Sequence, residues 1–558
     1  MKDTVHLDIG SASSEIFLRE WQAWQANPQR PRMLHVAAIC ADKYRNSPTD
    51  AALKPLAEQL HTQLWGLLPG FHRLVFENGQ VLLTLCVGNA VKILRQLKFE
   101  ATSIDLNSAL LEDEDVLYAA KAIARLCRQG TVVTTSYGTA VKTALRQCGF
   151  LVNGQQAIYK PSWVTKKRIY SIQPTTCVVV GSGLAGAAIA SSLARRGWAV
   201  TVLDAASEPA SGASGLPAGL LVPHTSPDDS PLSRLSRCGV RMTLEQAGRM
   251  LQSGQDWNCT GVLERSVDGV PKKLPAAWAE CWDHAADCWS RPAATGQLLE
   301  AGLPTASTAL WHPQAGWIKP AALVRAWLAT PGVTWRGNAQ VAQLRPTAST
   351  DLQGWQVVDA AGNLLAEAHL VVLAAGFASQ ALAASASANP LAVQPIRGQI
   401  SWGLHAGHEP TLKLPGFPVN GHGGFLSAIP SATGAFWLMG ATYQRDESLP
   451  KTHQQDNDEN FRRLEVLLPK VASVLADQFN APQNQAWAGI RCATPNRLPL
   501  LDQLVSTESK APLWVCTGLG SRGLTFAALC GELLAAQLHG EPLPVDRQLA
   551  DSLMGRRF

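Results

Sequence analysis

The stretch TTCVVVGSGLAGAAIASSLARRGWAVTVLDAA, residues 175–206, places three glycines within six positions, directly behind a β-branched run. Gly181, Gly183 and Gly186 spell G-x-G-x-x-G after Val178, Val179 and Val180. The spacing has a mechanical reading. The first glycine permits a tight turn, the second lets a pyrophosphate approach bare backbone, and the third lets the next helix pack close to the strand. Leu184 and Ala185 then open a helix whose N-terminus meets the phosphates. A second strand, Ala199 to Leu203, should end at Asp204, 23 residues after Gly181, where a carboxylate accepts from an adenosine ribose hydroxyl. The chemistry indicated is dinucleotide binding. The uncharged run Thr175 to Leu193 is a poor membrane span, because a lipid-facing helix has little use for clustered glycines.

The elements that must hold this turn come from a long chain. At 558 residues, 46% of them hydrophobic, it has room for two to four packed domains. The N-terminus MKDTVHLDIGSASSEIF lacks a basic segment followed by an apolar one, so no secretory signal is expected. The uncharged run Leu370 to Ile396, full of Ala, Ser, Asn, Pro and Gly, would insert poorly into a bilayer, and no membrane segment is expected. Twelve cysteines without a C-x-x-C pair suggest reduced core thiols, a cytoplasmic protein and no metal site. The net charge of +5 permits an anionic partner such as RNA without requiring one.

The stretch YKPSWVTKKRIYSIQPTT carries Lys160, Lys166, Lys167 and Arg168 and no acid, and it is the expected linker. It divides a domain over residues 1–160 from one over 175–558, with 161–174 between them. The second part ends on another glycine-rich turn into a helix, GLGSRGLTFAALCGELLAAQL, from Gly518 to Leu538. HLVVLAAGFAS reads as a buried strand turning at Gly376, and FWLMGATY and LWHPQAGWI read as further strands. Such a chain assembles its nucleotide domain from distant pieces and inserts a mostly antiparallel domain between them, an α/β plus α+β architecture.

GSGLAG with Asp204, then ASGASGLPAGLLVP, VLAAGFAS, PIRGQIS, GGFLSAIP and GLGSRGLTFA, together resemble the D-amino-acid oxidase and glycine oxidase superfamily. MGATYQRDES, WAGIRCATPNRLPLLD, GLGSRGLTFAALCGELLAAQLHGEPLP and the terminal RRF are more closely similar to the C-terminal domain of the MnmC family, bacterial bifunctional enzymes of tRNA 5-methylaminomethyl-2-thiouridine biosynthesis. The likeness covers nearly all of residues 175–558. It implies a Rossmann-type FAD-binding domain with an inserted antiparallel substrate domain. It also implies oxidation of carboxymethylaminomethyl-uridine at the tRNA wobble position to aminomethyl-uridine and glyoxylate, with dioxygen as electron acceptor. The cofactor contacts it implies are Gly181, Gly183, Leu184, Ala185, Gly186, Asp204, Ser211, Ser214, Ala375, Gly376, Gly520, Ser521, Arg522, Gly523 and Leu524.

A substrate carboxylate calls for a planar guanidinium fork. Arg491 in AGIRCATP falls where glycine-oxidase relatives carry their carboxylate-binding arginine and is the first candidate. Arg522, beside the second glycine turn, is the next, and Arg397 in IRGQ the third. A neutral amine can drive C–H cleavage with its own electron pair, so none of His224, His312 or His422 is nominated as a base.

The first 160 residues resemble the methyltransferase domain that precedes the oxidase in that family, through WQAWQANPQRPRMLHVAAIC and LPGFHRLVFENGQVLLTLCVGNAVKILRQL. The donor turn of the family has the form G-F-G-T-G, whereas this chain has LDIGSASSEIF, with Gly10 kept and Ser11, Ala12 and Ser14 around it. Side chains there would crowd S-adenosylmethionine. The acceptor-side LDGFAPAKNP becomes IDLNSALLED, keeping Asp105, and only a few residues precede the first strand where the family has a long extension. Loss of methyl transfer is expected, with the segment kept as scaffold or tRNA-binding face. Two other readings share the motifs: an oxidase of free glycine or sarcosine, and a flavin-carrying RNA-binding protein without turnover.

Overall fold

The computed structural model describes residues 4–10, 14–41, 50–107, 113–135, 138–165, 171–276, 278, 288–347, 353–386, 390–405, 414–480, 485–506 and 509–555. Ser11 and Ala12 of the first turn, Lys166, Lys167 and Arg168 of the basic stretch, and the terminal RRF lie outside them. The chain forms two compact units. One holds Met1–Pro174 with Glu532–Ser552, the other Thr175–Gly531 with Leu553–Phe558.

The first unit is built on an eight-stranded sheet. Its strands run, in spatial order, Gly70–Phe76, Val81–Val87, Leu34–Cys40, Thr4–Ile9, Ala101–Leu106, Cys127–Thr135, Gln156–Tyr159 and Phe150–Asn153. The five strands from Val81–Val87 to Cys127–Thr135 are parallel to one another, with antiparallel strands at both edges. LHVAAIC and VLLTLCV are buried at every position, as expected of strands covered on both faces. Residues 532–552 close this unit: the Arg73 guanidinium donates to the Pro542 carbonyl, and His35 Nε2 stands 3.5 Å from Glu541 Oε1.

In the second unit a six-stranded sheet runs Val333–Arg336, Ala199–Leu203, Thr176–Val180, Leu370–Leu373, Leu513–Thr517 and Leu500–Leu504. All but the last are parallel. The order reverses between Thr176–Val180 and Leu370–Leu373, which creates the crevice where open α/β sheets bind ligands. Between these strands the chain forms a nine-stranded, mostly antiparallel sheet. Its long members are Gln394–Leu404, Gly423–Ser431, Gly434–Gly440 and Gln485–Ala493. Helices Gln454–Leu467 and Pro469–Asn480 contribute Leu464, Leu467, Val471, Leu475 and Phe479 to a core with Phe425, Trp437 and Met439 of that sheet. A Rossmann-type sheet assembled from separate stretches, with a substrate sheet inserted among them, is the expected architecture.

Candidate active site

Each glycine of the first turn answers a different local demand. Gly181 has φ +107°, and a Cβ there would stand 2.6 Å from the Ala374 carbonyl oxygen of the neighbouring strand end. A Cβ on Gly186 would stand 1.9 Å from the Gly181 carbonyl oxygen, so the helix Leu184–Arg195 sits directly on the turn. Gly183 faces the cavity, and Ser214 Oγ is its nearest neighbour, 3.1 Å from where a Cβ would be. That hydroxyl accepts from Leu184 N–H at 3.0 Å, leaving the other first-turn amides and the positive helix end toward the cavity. Asp204 follows the second strand. Its Oδ2 accepts from Ser182 N–H at 2.6 Å and from Ser182 Oγ at 2.7 Å, and its Oδ1 from Ala206 N–H at 2.9 Å. The carboxylate braces the turn and lines the cavity.

On the opposite wall, Ala375 and Gly376, with φ +58° at Gly376, follow the strand Leu370–Leu373. Thr517 Oγ1 donates to the Gly376 carbonyl at 2.8 Å. The second glycine turn runs from Gly518 (φ +72°) through Gly520 (φ +57°) to the helix that starts at Gly523. Gly520 N–H donates to Cys492 O at 2.8 Å, tying this turn to the strand that carries Arg491. These walls bound a cavity of about 1110 Å³, lined by Gly181, Gly183, Leu184, Ala185, Asp204, Ser211, Ser214, Ala375, Gly376, Gly520, Ser521, Arg522, Gly523, Leu524 and Arg491. Gly186 is absent from the lining because it is buried between helix and turn.

The far end of the cavity is polar. Arg491 lies over the Tyr443 ring with its guanidinium carbon 4.5 Å from the centroid, and Nη1 donates weakly to Thr442 O at 3.4 Å. Among the described residues no carboxylate pairs with Arg491 or with Arg522. Burial lowers the proton affinity of both guanidinium groups, opposed by Tyr443. Both remain cations, since an arginine titrates far above neutral pH. Two partly desolvated cations in one cavity lining favour an anion between them. His224 also lines the cavity, and burial followed by the charge of Arg522 depresses its pKa, so the ring is neutral at pH 7. Glu264 is, with Asp204, an acid of the cavity lining. Burial would raise its pKa, but the hydrogen bond and charge of His312, together with Lys272, outweigh this and hold it at about 2. His312 is fully buried between Glu264 Oε2 at 3.1 Å and Ser290 Oγ at 2.8 Å, whereas His422 is exposed.

Arg397 requires a correction. It is fully buried, lies outside the cavity lining, and all five of its N–H donors have acceptors. Nε donates to Lys451 O at 2.6 Å and Nη2 to the same carbonyl, while Nη1 reaches Gln444 Oε1 and Asp456 Oδ2, each at 2.7 Å, and Nη2 reaches Gln399 Oε1 at 2.9 Å. No donor remains for a substrate. Sequence reasoning does not single out Tyr443, Glu264 or Gly398. A Cβ at Gly398 would lie 2.3 Å from Arg491 Nη1, so the bare strand is the bed on which that guanidinium rests. The signal for this is the glycine beside Arg397 in PIRGQIS, which becomes readable only once the pairing of Ile396 with Arg491 is known.

The first unit has a turn of its own. Gly10 has φ +94°, its N–H donates to Ile39 O, and a Cβ there would meet Asn107 O at 2.6 Å. Asp105 Oδ2 lies 3.0 Å from His6 Nε2, and His6 Nδ1 lies 2.8 Å from Ser103 Oγ. Burial pulls the His6 pKa down, but Asp105, Glu20 and Asp8 together raise it above the ordinary histidine value.

Residues 176–537 match the FAD dependent oxidoreductase family, and residues 51–166 match an S-adenosyl-L-methionine-dependent methyltransferase family. A relative from Polaromonas naphthalenivorans, the tRNA 5-methylaminomethyl-2-thiouridine biosynthesis bifunctional protein MnmC, is 51% identical over 98% of this chain and 89% of its own length. The protein of the same name from Delftia acidovorans is 45% identical over 99% and 91%. Among solved structures, glycine oxidase from Geobacillus kaustophilus aligns at TM-score 0.52 and 22% identity over 68% of this chain and 98% of that one, a likeness of fold. The cofactor is FAD, and the residues present fit it: a bare Gly183 at a helix N-terminus, the Asp204 carboxylate, and left-handed Gly376 and Gly520 where backbone must come close. With one family spanning most of the chain and relatives at this identity spanning nearly all of it, the chain belongs to the MnmC family of bifunctional tRNA-modification proteins, its oxidoreductase unit being of the D-amino-acid oxidase type.

Proposed function

We propose that this protein removes the carboxymethyl group from 5-carboxymethylaminomethyl-(2-thio)uridine at the tRNA wobble position, giving 5-aminomethyl-(2-thio)uridine and glyoxylate in the cytoplasm. The observation that carries the reading is Arg491, a half-buried cation in the cavity lining with no acidic partner among the described residues. Bound FAD supplies a two-electron acceptor, with dioxygen as final oxidant. The guanidinium fork of Arg491 holds the glycyl carboxylate in two parallel hydrogen bonds, which fixes orientation as well as charge. Tyr443 backs the fork, and Arg522 adds positive potential at the second glycine turn. The substrate amine provides the electron pair that drives C–H cleavage, and water then adds to the resulting imine to release the amine and glyoxylate, so no protein base is required for the oxidation. His224, held neutral, adds no further charge to the pocket.

Methyl transfer is lost in this reading. Asp105 is engaged by His6, and the first turn keeps one glycine of three. The experiment is to incubate the purified holoenzyme with tRNA bearing the carboxymethylaminomethyl group and inspect nucleosides by mass spectrometry. Aminomethyl-uridine with stoichiometric glyoxylate is the expected product. Inert tRNA alongside rapid oxidation of free glycine or sarcosine would overturn the proposal.

A further inference from the structure

The segment Tyr443–His453 follows the strand Gly434–Gly440, pairs briefly at Gln444–Arg445 with the strand Gln394–Leu404, and then crosses to the helix Gln454–Leu467. Nearly every residue in it is exposed, yet Tyr443 and Ser448 line the cavity. Apolar burial therefore cannot be what positions it. Backbone pairing of Gln444 and Arg445 with Ile396 and Arg397, and the Asp446 N–H donated to Pro395 O at 3.2 Å, hold only its first residues; its side-chain attachments come from two buried residues on one face of the strand Gln394–Leu404. Arg397 takes Gln444 Oε1 and the Lys451 carbonyl, and its charge is matched by buried Asp456. Gln399 takes the next contact point on both sides: its Oε1 accepts from His453 N–H at 2.8 Å and its Nε2 donates to His453 O at 2.9 Å. Gln399 also fixes the near end, since its N–H donates to Thr442 Oγ1 at 3.1 Å and its carbonyl accepts from Thr442 N–H at 3.0 Å. The same strand carries Gly398, the bed of Arg491.

We propose that Arg397 and Gln399 are positioning residues for substrate recognition: a buried polar peg that holds the exposed strap over the cavity and so sets Tyr443 beneath Arg491. The proposal rests on the reading that Arg491 receives the substrate carboxylate. One strand thus orients the carboxylate fork twice, through a glycine that makes room for it and through neighbours that fix the ring it stacks on. Loosening the peg frees the strap and Tyr443 while leaving the nucleotide turn untouched, so binding of the carboxylate substrate weakens and FAD stays.

The test uses holoenzyme carrying Gln444→Ala, which removes one acceptor of the peg from the exposed side, with Gln444→Glu as the conservative variant and Arg397→Lys as the deeper cut. For Gln444→Ala, KM for carboxymethylaminomethyl-tRNA should rise about fivefold, the effect of one lost hydrogen bond, with kcat changed by less than about twofold. The flavin absorbance should be unchanged, and amide hydrogen exchange over 441–453 should accelerate. Gln444→Glu should restore KM and protection, because it keeps an acceptor for Arg397. Unchanged KM and unchanged exchange in both Gln444→Ala and Arg397→Lys would overturn the proposal, as would loss of FAD in step with activity. Arg491→Ala run in parallel separates the two readings: full activity there removes the carboxylate assignment, while the exchange rates still report whether the peg holds the strap.

Discussion

Two strand-to-helix turns, one in each unit, solve the same backbone problem and diverge in what they can hold. At Gly10 and at Gly181 a left-handed glycine ends a central parallel strand, donates its N–H to the neighbouring strand (Ile39 O, Leu203 O), and comes within 2.6 Å, at its imaginary Cβ, of a carbonyl on the other side (Asn107 O, Ala374 O). The first glycine is therefore demanded by the sheet, whatever the ligand. Beyond that glycine the two turns part. The second unit has Gly183 and Gly186 and starts its helix at Leu184, whereas the first has Ala12 and Glu15 in those places and starts its helix at Glu15. The position one past the neighbouring strand's accepting carbonyl is Asp204 in one unit and Cys40 in the other, a thiol that burial, with Asp8 adding to it, pushes up to about 12. A positive-φ glycine marks topology, and the bare second glycine and the acid mark a nucleotide.

The contrast between the turns breaks most completely at Gly183. Gly183→Val should abolish FAD binding while circular dichroism stays native, because the branched side chain meets Ser214 and projects into the cradle. A variant that remains yellow would place the pyrophosphate elsewhere. Next in size is Arg491→Ala. Deleting one partner of a desolvated guanidinium–carboxylate pair is worth roughly 2–4 kcal/mol, or about thirtyfold to a thousandfold in turnover. FAD should be retained, and Arg491→Lys should recover only part of the loss, since a point charge lacks the fork. If Arg491→Ala is folded, yellow and nearly fully active, Arg522 takes the role.

A smaller effect belongs to the first unit. His6 titrates above its unfolded value of 6.5, so the stability it shares with Asp105 is fully present below that pH and is lost as pH rises through the higher folded value. Asp105→Asn should therefore lower the unfolding temperature of the first unit more at pH 6 than at pH 9, by a contribution on the order of 1 kcal/mol. An equal penalty at both values would mean that the pair is not ionised. The smallest expected response is none: S-adenosylmethionine added with aminomethyl-uridine tRNA should give no methylaminomethyl-uridine and no thermal shift. A methylated nucleoside made by the pure protein would show that the altered turn still binds its donor.

How much the sequence reveals depends on how local each demand is. The nucleotide turn is legible because Gly181, Gly183, Gly186 and Asp204 act within one βαβ stretch, and Arg491 because the motif around it resembles that of known oxidases. Arg397 reads as a site residue because it is a guanidinium within PIRGQIS, a motif that resembles the oxidase superfamily, although the residues alone equally fit a structural strand-end cation. Its role depends on Lys451 and Asp456, 54 and 59 residues away, through bonds that no periodicity announces. Gly398 is silent for the same reason, since its meaning lies in sheet register. The closure of the first unit is harder still to read, with Arg73 and Pro542 separated by 469 positions.

That closure bears on synthesis. A ribosome delivers residues 1–174 long before residues 532–552, so the first unit cannot complete its sheet-side contacts until the chain is nearly finished. For most of translation His35 and Arg73 lack the Glu541 and Pro542 groups that they meet in the folded protein. The unit that is made first is among the last to be finished, and the nascent protein must keep it soluble while the whole oxidoreductase unit is made.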